Sequence, residues 1–190
     1  MSAWDLQGYG ARWNRVTRPS NWGGAALIFA PGCFEWDGDV ELQFMHLGEK
    51  SFGKAKDIGL RFWQDSEGLA FQMDATVPGT RTVRSSVVSL LQGVADGRYC
   101  ECSAACSPIR SHTSYVDGEP CEVFEKAKLI ELTICPSGAC PDTGAWLLGN
   151  VANPQLLPVK IRPVVEAFYQ ASPLSGSVCP RFHGSTMAHV

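Results

Sequence analysis

Three side chains in this 190-residue sequence could together carry out acyl transfer: His46, Ser103 and Glu131. A serine hydroxyl is a weak nucleophile near neutral pH. It needs an imidazole to take its proton and a polar third group to orient that imidazole. Of the four histidines, two lie close to the C-terminus, which leaves His46 and His112 as the bases to weigh. His46 closes an alternating stretch and precedes Leu47-Gly48, a position from which a strand end could face a groove. It also shares parity with Val40, Leu42 and Phe44, and a histidine on an apolar face equally serves as a core residue. Ser103 shares parity with Tyr99 and Glu101, and nothing in its spacing separates it from an ordinary strand serine. Glu131 interrupts the run Leu129-Ile130-Glu131-Leu132-Thr133-Ile134. A carboxylate there is costly to bury unless paired, either with a group sharing a proton or with a Lys or Arg.

The eight cysteines raise a second chemistry. Cys100, Cys102 and Cys106 share one parity, but no Cys-x-x-Cys pair occurs and no histidine stands at zinc-ligand spacing. They read as small buried hydrophobes, and neither metal nor cofactor is expected. The N-terminus, Met1-Ser-Ala-Trp-Asp-Leu-Gln, lacks a basic region followed by an apolar core. The expectation is reduced thiols in a cytoplasm. No Gly-x-Ser-x-Gly elbow is present, which argues against a small-molecule hydrolase of the type that uses one.

The elements that must position these residues are mostly strands. Residues 39–46 alternate, as do Ile58, Leu60 and Phe62; after a turn at Asp65-Ser66-Glu67-Gly68, so do Leu69, Phe71 and Met73, predicting a hairpin. From about Gly79 the period becomes helical through Val83, Val87, Leu90, Leu91 and Val94, with Gly97 as its stop. Further strands are predicted over 98–106, 121–125 and 129–135. The fold class expected is α+β, a mostly antiparallel barrel or sheet with packed helices. Beyond Gly149 prolines 154, 158, 163, 173 and 180 punctuate the chain, so residues 1–148 read as one domain and 149–190 as a Pro-rich arm or tail. Within it Pro163 opens a short helix through Tyr169.

Composition limits the partners. Apolar residues are 45% and charged residues 18%, which suits a packed domain. The net charge of −3 is spread without basic clusters, so no nucleic-acid partner is expected. No apolar stretch approaches the roughly 20 residues of a membrane span, so no membrane partner is expected either.

In order along the chain, several motifs resemble those of the prohead (capsid maturation) serine proteases of tailed phages. Gly8-Tyr9-Gly10-Ala11 matches an opening strand, and Phe29-Ala30-Pro31-Gly32-Cys33-Phe34 a Pro-Gly-x-Phe element. Leu42-Gln43-Phe44-Met45-His46 with Gly48 and Gly53 matches the strand that ends in a catalytic histidine. Gly97 lies six residues before Ser103, as before the family's nucleophile, and Leu129-Ile130-Glu131-Leu132-Thr133-Ile134-Cys135-Pro136 matches Leu-x-Glu-(Val/Ile)-Ser-x-Val-x-x-Pro-Ala. The resemblance runs from about residue 6 to 148. It departs after the nucleophile, where Ala104-Ala105-Cys106-Ser107 replaces a small residue and Gly-Phe, and at Thr133, where the family has Ser.

The resemblance implies a fold related to herpesvirus assembly proteases. It implies His46 as general base, Ser103 as nucleophile and Glu131 as orienting acid, with His112 the other candidate for third member. Its expected partners are the major capsid protein and scaffold of a tailed phage, and further copies of itself. Its expected place is the host cytoplasm, within the procapsid, with retention in the virion open. The other function class compatible with that fold is a catalytically inactive decoration or minor capsid protein.

Overall fold

The computed structural model describes residues 5–19, 25–74, 84–151, 160 and 162–171. The strands are β1 (Leu6–Arg12), β2 (Ala26–Phe29), β3 (Phe34–Glu35), β4 (Glu41–Phe44), β5 (Leu47–Lys54), β6 (Leu60–Gln64), β7 (Gly68–Met73), β8 (Glu101–Val116), β9 (Glu119–Cys135) and β10 (Gly144–Leu147). The helices are α1 (Ala55–Ile58), α2 (Arg84–Ala95), α3 (Leu148–Val151) and α4 (Arg162–Ala171).

The expected α+β class holds, but the barrel does not. Two open sheets form instead. One is antiparallel throughout in the order β10-β1-β7-β6, and the predicted hairpin is its β6–β7 pair, with Phe62 opposite Phe71. The other is mixed rather than antiparallel. It is built on β9, whose one side takes β2, β3 and β4 in succession, all parallel, and whose other side takes β8 antiparallel.

Strand parity explains where the core lies. Leu6, Leu69, Phe71, Met73, Ala145 and Leu147 point inward from the first sheet to meet Leu42, Phe124, Leu129, Leu132 and Ile134 of the second. A bulge between Tyr9 and Ala11 turns Ala11 inward while Tyr9 stays on the outer face. Gly8 is required by close approach: a Cβ there would stand 2.0 Å from the Gly144 carbonyl oxygen and 2.7 Å from the Phe71 ring. Helix α2 sends Leu90, Leu91 and Val94 into this core. It ends as predicted, Gly97 lying at φ 71° and donating to the Val94 carbonyl at 3.0 Å. The predicted start of that helix, residues 79–83, lies outside the described residues.

The strands predicted at 98–106, 121–125 and 129–135 prove to be one long hairpin, of 16 and 17 residues, closed at Asp117-Gly118. The outer part of β8 is exposed from Ser107 to Thr113, so it has no apolar alternation to reveal it. Bulges at Ala105/Cys106 and around Arg110 also break the period.

Of the segment 149–190, the predicted short helix is present as α4, and the prolines at 154, 158, 173 and 180 lie outside the described residues. Val164, Val165, Phe168 and Tyr169 of α4 cover the outer face of the first sheet. Phe168 is fully buried and meets Tyr9, Trp63 and Trp146 edge-on at ring separations of 5.3, 5.7 and 5.0 Å. Tyr169 donates to Gln7 Oε1 at 2.8 Å. Removing a buried aromatic of this kind costs about 3–5 kcal/mol. Phe168→Ala is therefore expected to lower the stability of the whole chain by that amount in denaturant unfolding, whereas a detached arm would leave the midpoint unchanged.

Candidate active site

Glu131 sits on β9 between Leu129 and Leu132, both fully buried, with Ile130 turned out to solvent. Its side chain is 13% exposed. The partner that accounts for it is an imidazole, not a Lys or Arg: His46 Nδ1 contacts Glu131 Oε1. Thr133, two residues on and on the same face, donates to that oxygen at 2.9 Å. The hydrogen bond from His46, and then that from Thr133, hold the carboxyl below its ordinary value of 4.5 against the opposing effect of burial.

His46 does not end a strand as its parity suggested. Strand β4 stops at Phe44, which pairs with Leu47, and Met45 and His46 form the two-residue connection to β5. Both have positive φ, 55° and 56°, the backbone of a type I′ hairpin turn, where Asn and Gly are favoured. A non-glycine residue in that region costs about 1–2 kcal/mol. The Met45 amide donates to the Ile134 carbonyl at 3.2 Å and fastens the turn to β9. Leaving the strand frees His46 from the apolar face of Val40 and Leu42, and its side chain is 46% exposed. With Nδ1–H given to an ionised carboxylate, neutral His46 carries its lone pair on Nε2.

Ser103 stands on β8 directly opposite Thr133, and Ala105 opposite Glu131. Facing residues of an antiparallel pair share a face, so Ser103 lies on the side of the sheet that carries Glu131. It is buried, and among the described residues its hydroxyl has no hydrogen-bond partner. A groove of about 560 Å³ is lined by His46, Ser103 and Glu131 together. Leu27, Phe29, Cys106 and Phe124 form its apolar part, with Arg18 also on its wall.

The strand before Ser103 is held firmly. Thr143 Oγ1 accepts from the Cys102 amide at 3.3 Å and makes a 2.9 Å hydrogen bond to its carbonyl. Glu101 Oε2 accepts from the Gly138 amide at 2.8 Å, and its other oxygen accepts from Lys160 at 2.5 Å. Gly138 and its neighbours Ser137, Ala139 and Cys140 also line the groove. None of these contacts is readable from sequence, because each joins residues of ordinary type across long separations.

His112 is not part of this arrangement. It lies on the outer hairpin, pairs with Glu125 at 3.0 Å, and does not line the groove. Nine residues of strand separate it from Ser103, about 30 Å at roughly 3.3 Å per residue. The described cysteines are free thiols. Burial pushes Cys33 and Cys106 up to about 12 and Cys135 to about 11, far from the thiolate a nucleophile needs. Among the described residues no group of three or more His, Cys, Asp or Glu is placed to hold a metal ion.

A family model described as caudovirus prohead serine protease matches residues 2–152. The match takes in every strand of both sheets and His46, Ser103 and Glu131. No curated protein matches the chain.

Proposed function

The chain belongs to the caudovirus prohead serine protease family, and from that premise we propose that it cuts capsid proteins with Ser103 as nucleophile, His46 as general base and Glu131 as the group that orients His46 and stabilises the imidazolium formed during the reaction. The observation that carries the proposal is the His46–Glu131 contact formed on the same groove that Ser103 lines.

In this scheme Ser103 Oγ attacks the scissile carbonyl carbon while its proton passes to His46 Nε2. Glu131 stays ionised and stabilises the imidazolium through Nδ1–H. The tetrahedral intermediate collapses as His46 returns the proton to the leaving amine, which leaves an acyl-enzyme on Ser103. Water, deprotonated by His46, releases the acyl group. The Ser103–His46 hydrogen bond is not formed in the resting site, as is common before substrate closes on a catalytic pair. The scheme uses no cofactor.

The substrates we propose are the phage scaffold, the N-terminal region of the major capsid protein and the protease itself, met inside the procapsid. We also read the fold as related to herpesvirus assembly proteases, with Glu131 in place of their second histidine. Co-production with the capsid protein and scaffold tests the proposal. Wild type is expected to yield shortened capsid protein, and Ser103→Ala only the full-length chain. Identical gels would sink the proposal and favour an inactive component of the capsid.

A further inference from the structure

Glu131 is an acceptor with two donors among the described residues, and only one of them, His46, has a part in the scheme above. The other is Thr133, which is fully buried and lies between Ser103 on β8 and Gln43 on β4. Resting on the triad reading, we propose that Thr133 is a positioning residue for the reaction, its hydroxyl fixing the Glu131 carboxylate in the orientation that meets His46.

The geometry supports a directional role. Thr133 Oγ1 reaches the same oxygen, Oε1, that His46 Nδ1 contacts, so both donors act on one point of the carboxylate. A β-branched side chain on a strand has restricted χ1, which makes this donor stiff. A carboxylate on a flexible Glu side chain would otherwise have to be aimed by the exposed imidazole alone. Gln43 does not compete for the role: its Nε2 donates to Glu41 at 3.1 Å, and its buried Oε1 is an acceptor without a partner among the described residues. The Thr133 hydroxyl has a single proton, and that proton is committed to Glu131.

The test is the second-order rate constant for labelling Ser103 with a fluorophosphonate, which reads activation of the hydroxyl without a peptide substrate. Thr133→Val removes the donor with little change of shape. It is expected to slow labelling by about ten- to a hundredfold, the usual effect of losing an outer hydrogen bond to an active-site ligand. Its thermal midpoint is expected to fall only modestly, since the Glu131 carboxylate loses one of its two donors but keeps His46. Thr133→Ser keeps the hydroxyl and is expected to label within about threefold of wild type, a rescue that a packing role would not produce. Should Thr133→Val fail to fold, Thr133→Ala against Thr133→Ser gives the same comparison. Wild-type labelling with Thr133→Val equally fast overturns this inference and leaves the triad standing. Val and Ser variants equally slow overturn it in favour of packing. A folded wild type that is not labelled at all overturns both this inference and the triad.

Discussion

His46→Ala is expected to lower the rate of peptide cleavage by about six orders of magnitude, and adding Ser103→Ala to it should cost almost nothing more. In the proposed scheme the two residues act as one unit: without the base the hydroxyl keeps its proton, and without the hydroxyl the base has nothing to activate. Additive losses would show that they work separately. The turn that carries His46 adds a second expectation. At φ 56° the residue is strained, and glycine adopts this backbone without strain. His46→Gly therefore gains about 1 kcal/mol at the turn while leaving Glu131 without its imidazole. Its stability should fall within about 1 kcal/mol of wild type even as activity disappears. A histidine kept at a position where glycine would fit more easily is best explained by its chemistry.

Glu131→Gln should lower turnover by about four orders of magnitude, as when the orienting acid of a serine protease becomes an amide. Its amide can donate to Nδ1, which would place the imidazole proton on Nε2, the atom that must accept from Ser103. The same substitution has a stability signature set by pH. Glu131 is held below its ordinary 4.5 in the folded chain, so its ionised form is favoured by folding. That contribution is fully present above pH 4.5 and is lost as pH falls below 4.5 through the folded value. The stability gap between wild type and Glu131→Gln should be constant at neutral pH and shrink below 4.5. A gap that widens on acidification would mean that Glu131 is not stabilised as an anion.

The legible part of this site was its most anomalous residue. Glu131 breaks an apolar run, and the cost of burying a lone carboxylate is enough to signal a partner from the sequence alone. The β6–β7 hairpin and the Gly97 stop were also readable, because alternation and turn chemistry are local. Alternation puts His46 at the end of a strand where the structure has a turn, since period-2 parity carries no information about where a strand gives way to a tight turn. Met45 and His46 are not residues that announce a type I′ turn. The β8–β9 hairpin is legible only in fragments because the outer half of β8 is largely exposed and carries no apolar alternation. Ser103 had no local signal; its position depends on β9 recruiting β4 on one side and β8 on the other. That register also brings Thr133 opposite it.

The claim at the centre is that Ser103 is activated by His46. Mass spectrometry after fluorophosphonate treatment of the purified chain addresses it directly. A single adduct on Ser103 in wild type, lost in His46→Ala while that variant remains folded, is the predicted result. No adduct on folded wild type, or one that forms as readily without His46, would contradict it.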